Sequence, residues 1–278
     1  MPGKLGLIAG GGDLPLRLAE AARAAGRPLY VLALEGSASP ALVAAARQTE
    51  MGYGSVRLGA LGEGMRLLRA AGVEEICFAG KVHRPSIFEL RPDARAAKFL
   101  ARVGWRALGD DGMMAALVKE LADEGFRVVG PDAVLSDLLV PEGALSALLP
   151  DAQALNDIAR GVAVVQALGA LDIGQAAVVQ QGMVLGVEAI EHTDALLARC
   201  GELRREGPGG VLVKCAKPGQ ERRADLPTIG VGTVANAHAA GLRGIAIEAG
   251  ATLVLDRAAV GAEADRLGLF VVAVAVHA

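Results

Sequence analysis

The first regular structure of this chain is predicted by the stretch Leu5-Gly6-Leu7-Ile8-Ala9-Gly10-Gly11-Gly12-Asp13. Its apolar half predicts a short buried strand, and the residues from about Leu14 to Ala25 predict an amphipathic helix. Glycines between a strand and a helix permit close packing, and the N–H groups at the start of such a helix favour bound anions. We therefore expect a βα unit in which Gly11, Gly12 and Asp13 contact a ligand.

The same alternation continues through the first half of the chain. Further strands are predicted at Leu29–Leu34, Ile76–Ala79 and Phe126–Val129, and further helices at about Gly62–Ala71, Ala94–Val103 and Gly112–Glu124. Strands that alternate with helices predict a doubly wound parallel sheet, here a Rossmann-like N-terminal domain of the α/β class. Gly80 and Lys81 follow a buried strand, at the end where open α/β sheets bind ligands.

The second half is predicted to be a mixed α/β domain. A helix at about Asp157–Leu168 precedes two strand-like runs, Ala176–Gln180 and Val184–Ile190, and the glycine between them predicts a hairpin. Thr193-Asp194 is expected to cap a short helix that ends near Arg199. The later elements are strands at Val211–Val213, Gly244–Ile247, Thr252–Leu255 and Phe270–Val276, and helices at about Val234–Ala240 and Ala258–Leu267.

Length and local composition predict two domains. A chain of 278 residues exceeds the size of most single hydrophobic cores. Gly130-Pro131 and Pro141-Glu142-Gly143 bracket a segment that is typical of an interdomain connection. We predict an N-terminal domain at 1–132, a linker at 133–150 and a catalytic C-terminal domain at 151–278.

Composition and charge narrow the class of protein. The formal net charge is -3, so no overall positive field favours nucleic acid or an anionic surface. No apolar run reaches the ~18–20 residues of a membrane span, and no secretory signal is evident. The 3 cysteines are scattered, which is typical of a reducing compartment rather than of a disulfide framework. We expect a cytoplasmic protein.

The richest concentration of chemistry lies in the loop from Lys214 to Gly230. It holds four basic residues, one amide and two carboxylates, and prolines stand on both sides of Asp225. Cations and amides bind phosphate oxygens, and a carboxylate binds a metal ion or orients water. A solvated, salt-bridged loop is the alternative interpretation. Cys215 between two lysines would favour a thiolate, but a cysteine nucleophile also needs a base, and no histidine is near in sequence.

Two further groups of acids are candidates for the site. Glu188 interrupts an apolar run, and strand alternation would place it on the same face as Ile190. A carboxylate there is costly unless it is paired or bound to a metal. Asp110 and Asp111 follow a glycine, and a helix cap needs only one of them, so the other is available for a metal or a sugar hydroxyl.

Two other classes of function stay open from the residues alone. The Gly10–Gly12 turn and Glu35, at the end of the second strand, resemble a dinucleotide fingerprint and favour an NAD(P)-dependent oxidoreductase. Hydride chemistry, however, leaves the Lys214–Gly230 loop unexplained. A non-catalytic nucleotide-sugar sensor would use the same pockets without forming a product.

Five stretches in order along the chain resemble one known family. They are Ile8–Gly12, Phe78–Pro85, Asp172–Gln175, Val187–Asp194 and Lys214–Gly230. Together they resemble the LpxI family, the UDP-2,3-diacylglucosamine pyrophosphatases of lipid A biosynthesis. The resemblance covers nearly the whole chain, and Asp225-Leu226-Pro227-Thr228-Ile229-Gly230 is its most specific part.

The resemblance implies a function and a set of site residues. It implies Mg²⁺-dependent hydrolysis of UDP-2,3-diacylglucosamine to UMP and 2,3-diacylglucosamine 1-phosphate (lipid X), two domains that close around the lipid, and a required acid at Asp225. We expect transient contact with the inner membrane surface and a possible homodimer. Asp225, Glu188 and Asp194 are the predicted metal ligands. The predicted substrate-binding residues are Gly11, Gly12, Asp13, Gly80, Lys81, Asp110, Asp111, Gln175, Glu188, Thr193, Asp194, Lys214, Lys217, Gln220, Arg223 and Thr228.

One position departs from the pattern of the family. His192 stands where the resemblance leads us to expect glycine. A side chain there would alter the loop geometry beside Thr193 and Asp194.

Overall fold

The computed structural model describes residues 3–49, 51–82, 90–104 and 110–276, leaving aside the side chains of residues 110 and 111. The chain divides into two compact units. The first consists of Met1–Ser136 together with Glu221–Asp225, and the second of Asp137–Gln220 and Leu226–Ala278. Residues 137–150, where we predict a linker, thus belong to the second unit. The predicted domain boundaries stay predictions.

The first unit is built on a parallel sheet of five strands. These are β1 (Leu5–Ala9), β2 (Leu29–Leu34), β3 (Gly52–Val56), β4 (Glu75–Ala79) and β5 (Arg127–Val128). Their order is β3-β2-β1-β4-β5, and every neighbouring pair is parallel. This order reverses between β1 and β4, as in Rossmann-like sheets. The predicted fold class is confirmed.

Five helices accompany this sheet in the described part of the unit. They are α1 (Leu14–Ala24), α2 (Pro40–Gln48), α3 (Leu61–Ala70), α4 (Ala94–Val103) and α5 (Asp110–Asp123). Sequence analysis predicted four of them within two residues, and missed α2 and strand β3. Short 3-10 turns follow at Pro131–Ala133 and Ser136–Leu138.

The second unit has a mixed sheet of six strands. They are β6 (Gly143–Ala144), β7 (Ala176–Gln180), β8 (Met183–Val187), β9 (Val211–Lys214), β11 (Gly244–Glu248) and β13 (Phe270–Val274), while β10 (Thr228–Ile229) and β12 (Leu253–Val254) pair separately. The order is β6-β13-β11-β9-β7-β8. Strands β13, β11 and β9 are parallel, whereas β6, β7 and β8 each run antiparallel to their neighbours.

The predicted hairpin is confirmed, with a shorter second strand. Gln181 and Gly182 connect β7 to β8, and both have positive φ angles, 53° and 75°. Because β8 ends at Val187, the predicted shared face of Glu188 and Ile190 is wrong. Glu188 is buried at 5% exposure, whereas Ile190 is 80% exposed. Residues two positions apart share a face only within a strand, and the chain turns immediately after β8, so Glu188 and Ile190 do not share one.

Four helices complete the second unit. They are α6 (Ala152–Ala170), α7 (His192–Glu202), α8 (Val231–Ala239) and α9 (Arg257–Leu267). Helix α6 begins five residues before the predicted start, where the Asp151 side chain accepts a hydrogen bond from the Ala154 N–H. The predicted cap at Thr193-Asp194 is wrong, because α7 already begins at His192. Across the parts of the chain that the structure describes, no helix is long and apolar enough to cross a membrane.

The second sheet is covered by apolar side chains on both faces. Leu212 and Ile245 pack in one cluster, and their neighbours Val211, Val213 and Ala246 pack in another. Successive residues of a strand point to opposite faces, so β9 and β11 contribute to both clusters. Since both faces are dry, polar side chains of this sheet concentrate at the ends of its strands.

Candidate functional site

In the first unit, the turns that follow β1 and β4 lie against each other. The Gly11 N–H donates to the Lys81 carbonyl at 2.7 Å, and the Lys81 N–H donates back to the Gly11 carbonyl at 2.9 Å. The turns meet at the carboxyl edge where the strand order reverses, which is the usual ligand site of open α/β sheets. The structure therefore brings together Gly11, Gly12, Gly80 and Lys81, which sequence analysis predicted separately.

The glycines of these turns serve close approach of two backbones. A Cβ atom on Gly10 or Gly80 would overlap the carbonyl oxygen of Lys81 or Gly11, respectively. The N–H groups of Gly10 and Gly11 are donated to backbone carbonyls. These two amides are thus engaged within the protein, and the predicted ligand contacts of Gly11 and Gly12 stay predictions. The exposed Asp13 precedes α1 and makes no side-chain cap bond.

Several predicted residues of the first half lie at or beyond the edge of the described chain. Asp110 and Asp111 form the first residues of α5, and their side chains are not described. His83, Arg84 and Pro85, which belong to the quoted Phe78–Pro85 stretch, lie outside the described residues. Their roles stay predictions.

In the second unit, three buried polar side chains form a chain of hydrogen bonds, which we call the relay: Glu188, Thr193 and Lys214. The Thr193 hydroxyl donates to Glu188 Oε1 at 2.5 Å, and Lys214 Nζ donates to Thr193 Oγ1 at 2.8 Å. The exposures are 5%, 8% and 6%, respectively. Lys214 Nζ also donates to the Thr228 carbonyl at 3.2 Å. The relay thus links the end of β8, the first turn of α7, the end of β9 and β10.

A second group of contacts extends the relay along the same edge of the sheet. The Gln175 N–H donates to Glu188 Oε2 at 3.1 Å, and the Gln220 amide donates to Gln175 Oε1 at 3.4 Å. Gln220 Oε1 accepts the Lys217 N–H at 3.0 Å, and Lys217 Nζ pairs with Asp172 Oδ1 at 2.6 Å. The structure brings together the predicted residues Gln175, Glu188, Thr193, Lys214, Lys217, Gln220 and Thr228.

Asp194 lies beside this network but has a different partner. It is exposed on α7 and its Oδ1 accepts a hydrogen bond from Asn236 Nδ2 on α8 at 3.0 Å. Its neighbour His192 has a φ of 65°, in the left-handed region that favours glycine. His192 thus adopts the backbone conformation that is easiest for glycine, which is the residue that the family pattern led us to expect at this position.

The loop that follows Lys217 crosses from one unit to the other. Glu221–Asp225 belongs to the first unit, where Ala224 packs against the apolar core. Arg223 makes two hydrogen bonds of 2.7 Å to Glu221. These bonds raise the pKa of Arg223 and lower the pKa of Glu221. Asp225 is partly exposed, and its N–H donates to the Glu221 carbonyl at 3.0 Å.

Of the acids that were predicted to bind Mg²⁺, Glu188 and Asp194 belong to the second unit and Asp225 to the first. Both oxygens of Glu188 accept hydrogen bonds within the protein, and Asp194 accepts one from Asn236. Over the described ranges, no cluster of three or more His, Cys, Asp or Glu side chains is arranged to hold a metal ion. Mg²⁺ in enzymes often uses one or two carboxylates plus substrate phosphates and water, so a preformed cage is not required. Their role as metal ligands stays a prediction.

Sequence analysis gave no role to two carboxylates at the edge of the second sheet. Glu248, at the end of β11, accepts the Ala216 N–H at 2.8 Å, and Asp172 holds Lys217. The available signal was the position of Glu248 directly after the predicted strand Gly244–Ile247 and of Asp172 at the start of the quoted Asp172–Gln175 stretch. The structure also answers the question of Cys215: burial raises the pKa of its thiol to about 12, so the flanking lysines do not create a thiolate.

Comparison with known proteins assigns the family. The model of the LpxI N-terminal domain matches residues 4–138, and the model of the LpxI C-terminal domain matches residues 141–272. The chain belongs to the LpxI family. A relative from Caulobacter vibrioides, named UDP-2,3-diacylglucosamine pyrophosphatase LpxI, is 45% identical over an alignment that covers 98% of this chain and 97% of the relative. The resemblance stated from the sequence is confirmed, and the family match gives no support to the oxidoreductase alternative.

Proposed function

We propose that this LpxI-family protein hydrolyses the pyrophosphate bond of UDP-2,3-diacylglucosamine, releasing UMP and 2,3-diacylglucosamine 1-phosphate. The observation that carries the proposal is the match over 98% of the chain to a relative whose name states that activity. Both family models, which together reach from residue 4 to residue 272, support it. The substrate would accordingly be a lipid-linked nucleotide sugar.

The geometry of the second unit supports phosphate chemistry. Buried polar groups are costly unless they are hydrogen-bonded, yet Glu188, Thr193, Lys214, Lys217 and Gln220 are all buried at one edge of one sheet. A fixed polar surface in a dry setting is what stabilises charge as a phosphoanhydride breaks, because its dipoles need no reorganisation.

Asp225 is the acid that we propose for the chemical step. Its carboxylate would orient the attacking water or contribute a ligand to Mg²⁺, with the remaining ligands from the substrate and from water. A bound Mg²⁺ would neutralise charge on the phosphate oxygens. Glu188 is less suited to bind the ion directly, because both of its oxygens already accept hydrogen bonds.

The cations proposed to bind phosphate have partners in this structure. Lys217 is paired with Asp172, and Arg223 with Glu221. A phosphate would therefore compete with a carboxylate at each of these side chains. Arg223 is the more exposed of the two, so we propose that it exchanges partners more easily, whereas the buried Lys217 shapes the loop.

The proposal is tested by following UMP release from UDP-2,3-diacylglucosamine with and without Mg²⁺. Wild-type protein should release UMP in a metal-dependent manner, and Asp225→Ala should lose at least ~10²-fold in kcat, as expected for a group that stabilises the transition state. Asp123→Ala is the matched control, since Asp123 lies on α5 in an exposed pair with Lys119.

The possible outcomes separate the candidate functions. Absence of UMP from folded protein supplied with metal would exclude the hydrolase and lead to titration with NADH. Binding of the nucleotide sugar without product would favour the sensor. A thermal melt that collapses in Asp225→Ala but not in Asp123→Ala would make Asp225 a structural residue.

The nature of the substrate leads to two further proposals about partners. An acylated substrate resides in a membrane, so we propose a cytoplasmic protein that contacts the inner membrane surface transiently. Flotation with lipid vesicles tests that contact. We propose a homodimer because it is the commonest assembly among soluble homo-oligomers, and sedimentation of the purified protein tests it.

A further inference from the structure

We propose that Thr193 is a positioning residue, and that the relay Glu188–Thr193–Lys214 fixes both ends of the loop that carries Asp225. This inference rests on the proposed function. It gives Lys214 and Glu188 roles in holding the loop, so that they contribute to the fixed polar surroundings of the site without binding the phosphate or the metal ion directly.

The direction of each hydrogen bond in the relay follows from chemistry. A lysine ammonium can only donate, so Thr193 Oγ1 must accept from Lys214 at 2.8 Å. The single hydroxyl proton of Thr193 is then available for Glu188 Oε1, at 2.5 Å. The hydroxyl thus transmits the interaction between a buried cation and a buried carboxylate. Only a residue that both accepts and donates can occupy this place.

The relay holds the base of the loop at two points. Lys214 is the last residue of β9 and directly precedes residues 215–227. Its ammonium group donates to the carbonyl of Thr228, which directly follows those residues. The two ends of residues 215–227 are therefore joined through one ammonium group. Lys217 and Gln220 hold the first half of the loop by further bonds to Asp172 and Gln175.

The consequence concerns the segment that leaves the second unit. Glu221–Asp225 belongs to the first unit, and its flanking residues, Gln220 and Leu226, belong to the second. A segment attached at both ends to a fixed base can place its carboxylate in few positions. Since a misplacement of about 1 Å can cost ~10²-fold in rate, the relay should control kcat through Asp225.

The test compares Thr193→Val with Thr193→Ser. Valine keeps the shape but can neither accept nor donate, so we expect kcat for UMP release to fall by ~10²-fold while KM stays within about threefold. Serine keeps the hydroxyl, so kcat should return to within about tenfold of wild type. The matched control is Thr252→Val: Thr252 is fully buried in the same unit, and no described residue is a hydrogen-bond partner of its hydroxyl. This control should have wild-type kcat.

A second measurement does not depend on activity. Hydrogen–deuterium exchange of the amides in residues 215–226 should be faster in Thr193→Val than in wild type, and unchanged in Thr252→Val. If wild-type protein releases no UMP, the proposed function fails, and exchange alone decides the role of the relay. Unchanged exchange together with unchanged kcat in Thr193→Val overturns the inference. A raised KM at constant kcat, or Thr193→Ser as inactive as Thr193→Val, also overturns it.

Discussion

The carboxyl edges of the two sheets are built from different materials. In the first unit, the turns after β1 and β4 are joined by backbone hydrogen bonds, with glycines where a side chain would collide. In the second unit, the corresponding edge is held by charged and amide side chains, most of them buried. One edge depends on the absence of side chains, and the other depends on their charge balance.

This difference indicates how each edge responds to change. The edge of the first sheet depends on close contact between two backbones. A Cβ atom at Gly10 or Gly80 should therefore destabilise it, whatever charges lie nearby. An edge built from side chains tolerates small changes of shape but not the loss of one ionic partner, because a buried charge without compensation is costly. The predictions below test this contrast, from the largest expected effect to the smallest.

Removal of the buried cation should give the largest loss of stability. Lys214→Met removes the donor to the Thr193 hydroxyl, so the relay that ends at the buried Glu188 carboxylate loses its cation, and loss of one charge from a buried ionic arrangement typically costs about 3–5 kcal/mol. We expect a loss of this size in the free energy of unfolding, measured with urea. The control is Lys119→Met, which removes an exposed pair with Asp123 and should cost about 0.5 kcal/mol or less. Equal effects of both changes would mean that the edge of the second sheet is not held by its side chains.

A single added methyl group should damage the edge of the first sheet. Gly80 has a φ of 92°, and a Cβ atom there would overlap the Gly11 carbonyl oxygen. Gly80→Ala combines backbone strain with a steric clash, so unfolding should become easier by roughly 3 kcal/mol.

Gly12→Ala separates these two contributions. Gly12 has a φ of 82°, but no atom lies within 4 Å of an added Cβ, so only strain of about 1 kcal/mol is expected. If both alanine variants are equally stable, close approach of the two turns is not what requires glycine at position 80.

A smaller effect is expected at the turn that leads into α7. With φ at 65°, His192 occupies a left-handed conformation that β-branched residues strongly disfavour. His192→Val should lower the free energy of unfolding by about 1 kcal/mol, while His192→Gly should leave it unchanged or raise it slightly, since lower strain is offset by the entropy of glycine. Thermal melts of the two variants provide the comparison. A valine variant as stable as the glycine variant would contradict the left-handed turn.

The smallest difference between the two units should be in the reactivity of their buried thiols, which lie in similar surroundings. Burial raises the pKa of Cys77 and of Cys215 to about 12. At pH 8 both should react with iodoacetamide on the order of 10³-fold more slowly than an exposed cysteine.

The same shift predicts a dependence of stability on pH. The folded state binds each thiol proton more tightly than the unfolded chain, so the contribution is present below about pH 9 and is lost as the pH rises towards 12. Mass spectrometry of alkylated native and urea-unfolded protein measures the reactivity. Rapid labelling of native Cys215 would show that its lysine neighbours, and not its burial, govern its chemistry.

The elements that the sequence predicted well are those with a clear apolar period. Strand β2 and helix α4 have the predicted ends, β1 is the apolar half of the opening stretch, and the hairpin of β7 and β8 has its glycine in the predicted turn. Strand β3 was missed because Gly52 and Gly54 have low strand propensity. The structure gives their reason: a Cβ atom on either would collide with the Tyr30 side chain of β2. Tertiary packing thus selects residues that a local pattern counts against a strand.

The candidate site was predicted in composition but not in its contacts. The sequence placed Glu188, Lys214 and Lys217 among the polar residues of the site. It could not show that Thr193 joins Glu188 to Lys214, or that Lys217 pairs with Asp172. These partners lie 5 to 45 residues apart in the chain, and local sequence patterns do not predict which distant side chains come into contact.

By itself, the sequence determined the α/β class, the hairpin, the glycine turns and the family, because each depends on local periods or on short motifs read in order. Only the tertiary structure decided that β1 and β4 are neighbours, that the loop after Lys214 is held at both ends, and that Glu221–Asp225 belongs to the other unit. The physical reason is that a buried polar group cannot hydrogen-bond to water. Its partners are therefore the groups that folding places beside it. Folding therefore gave Lys214 and Lys217, which the sequence predicted to bind phosphate, hydrogen-bond partners within the protein.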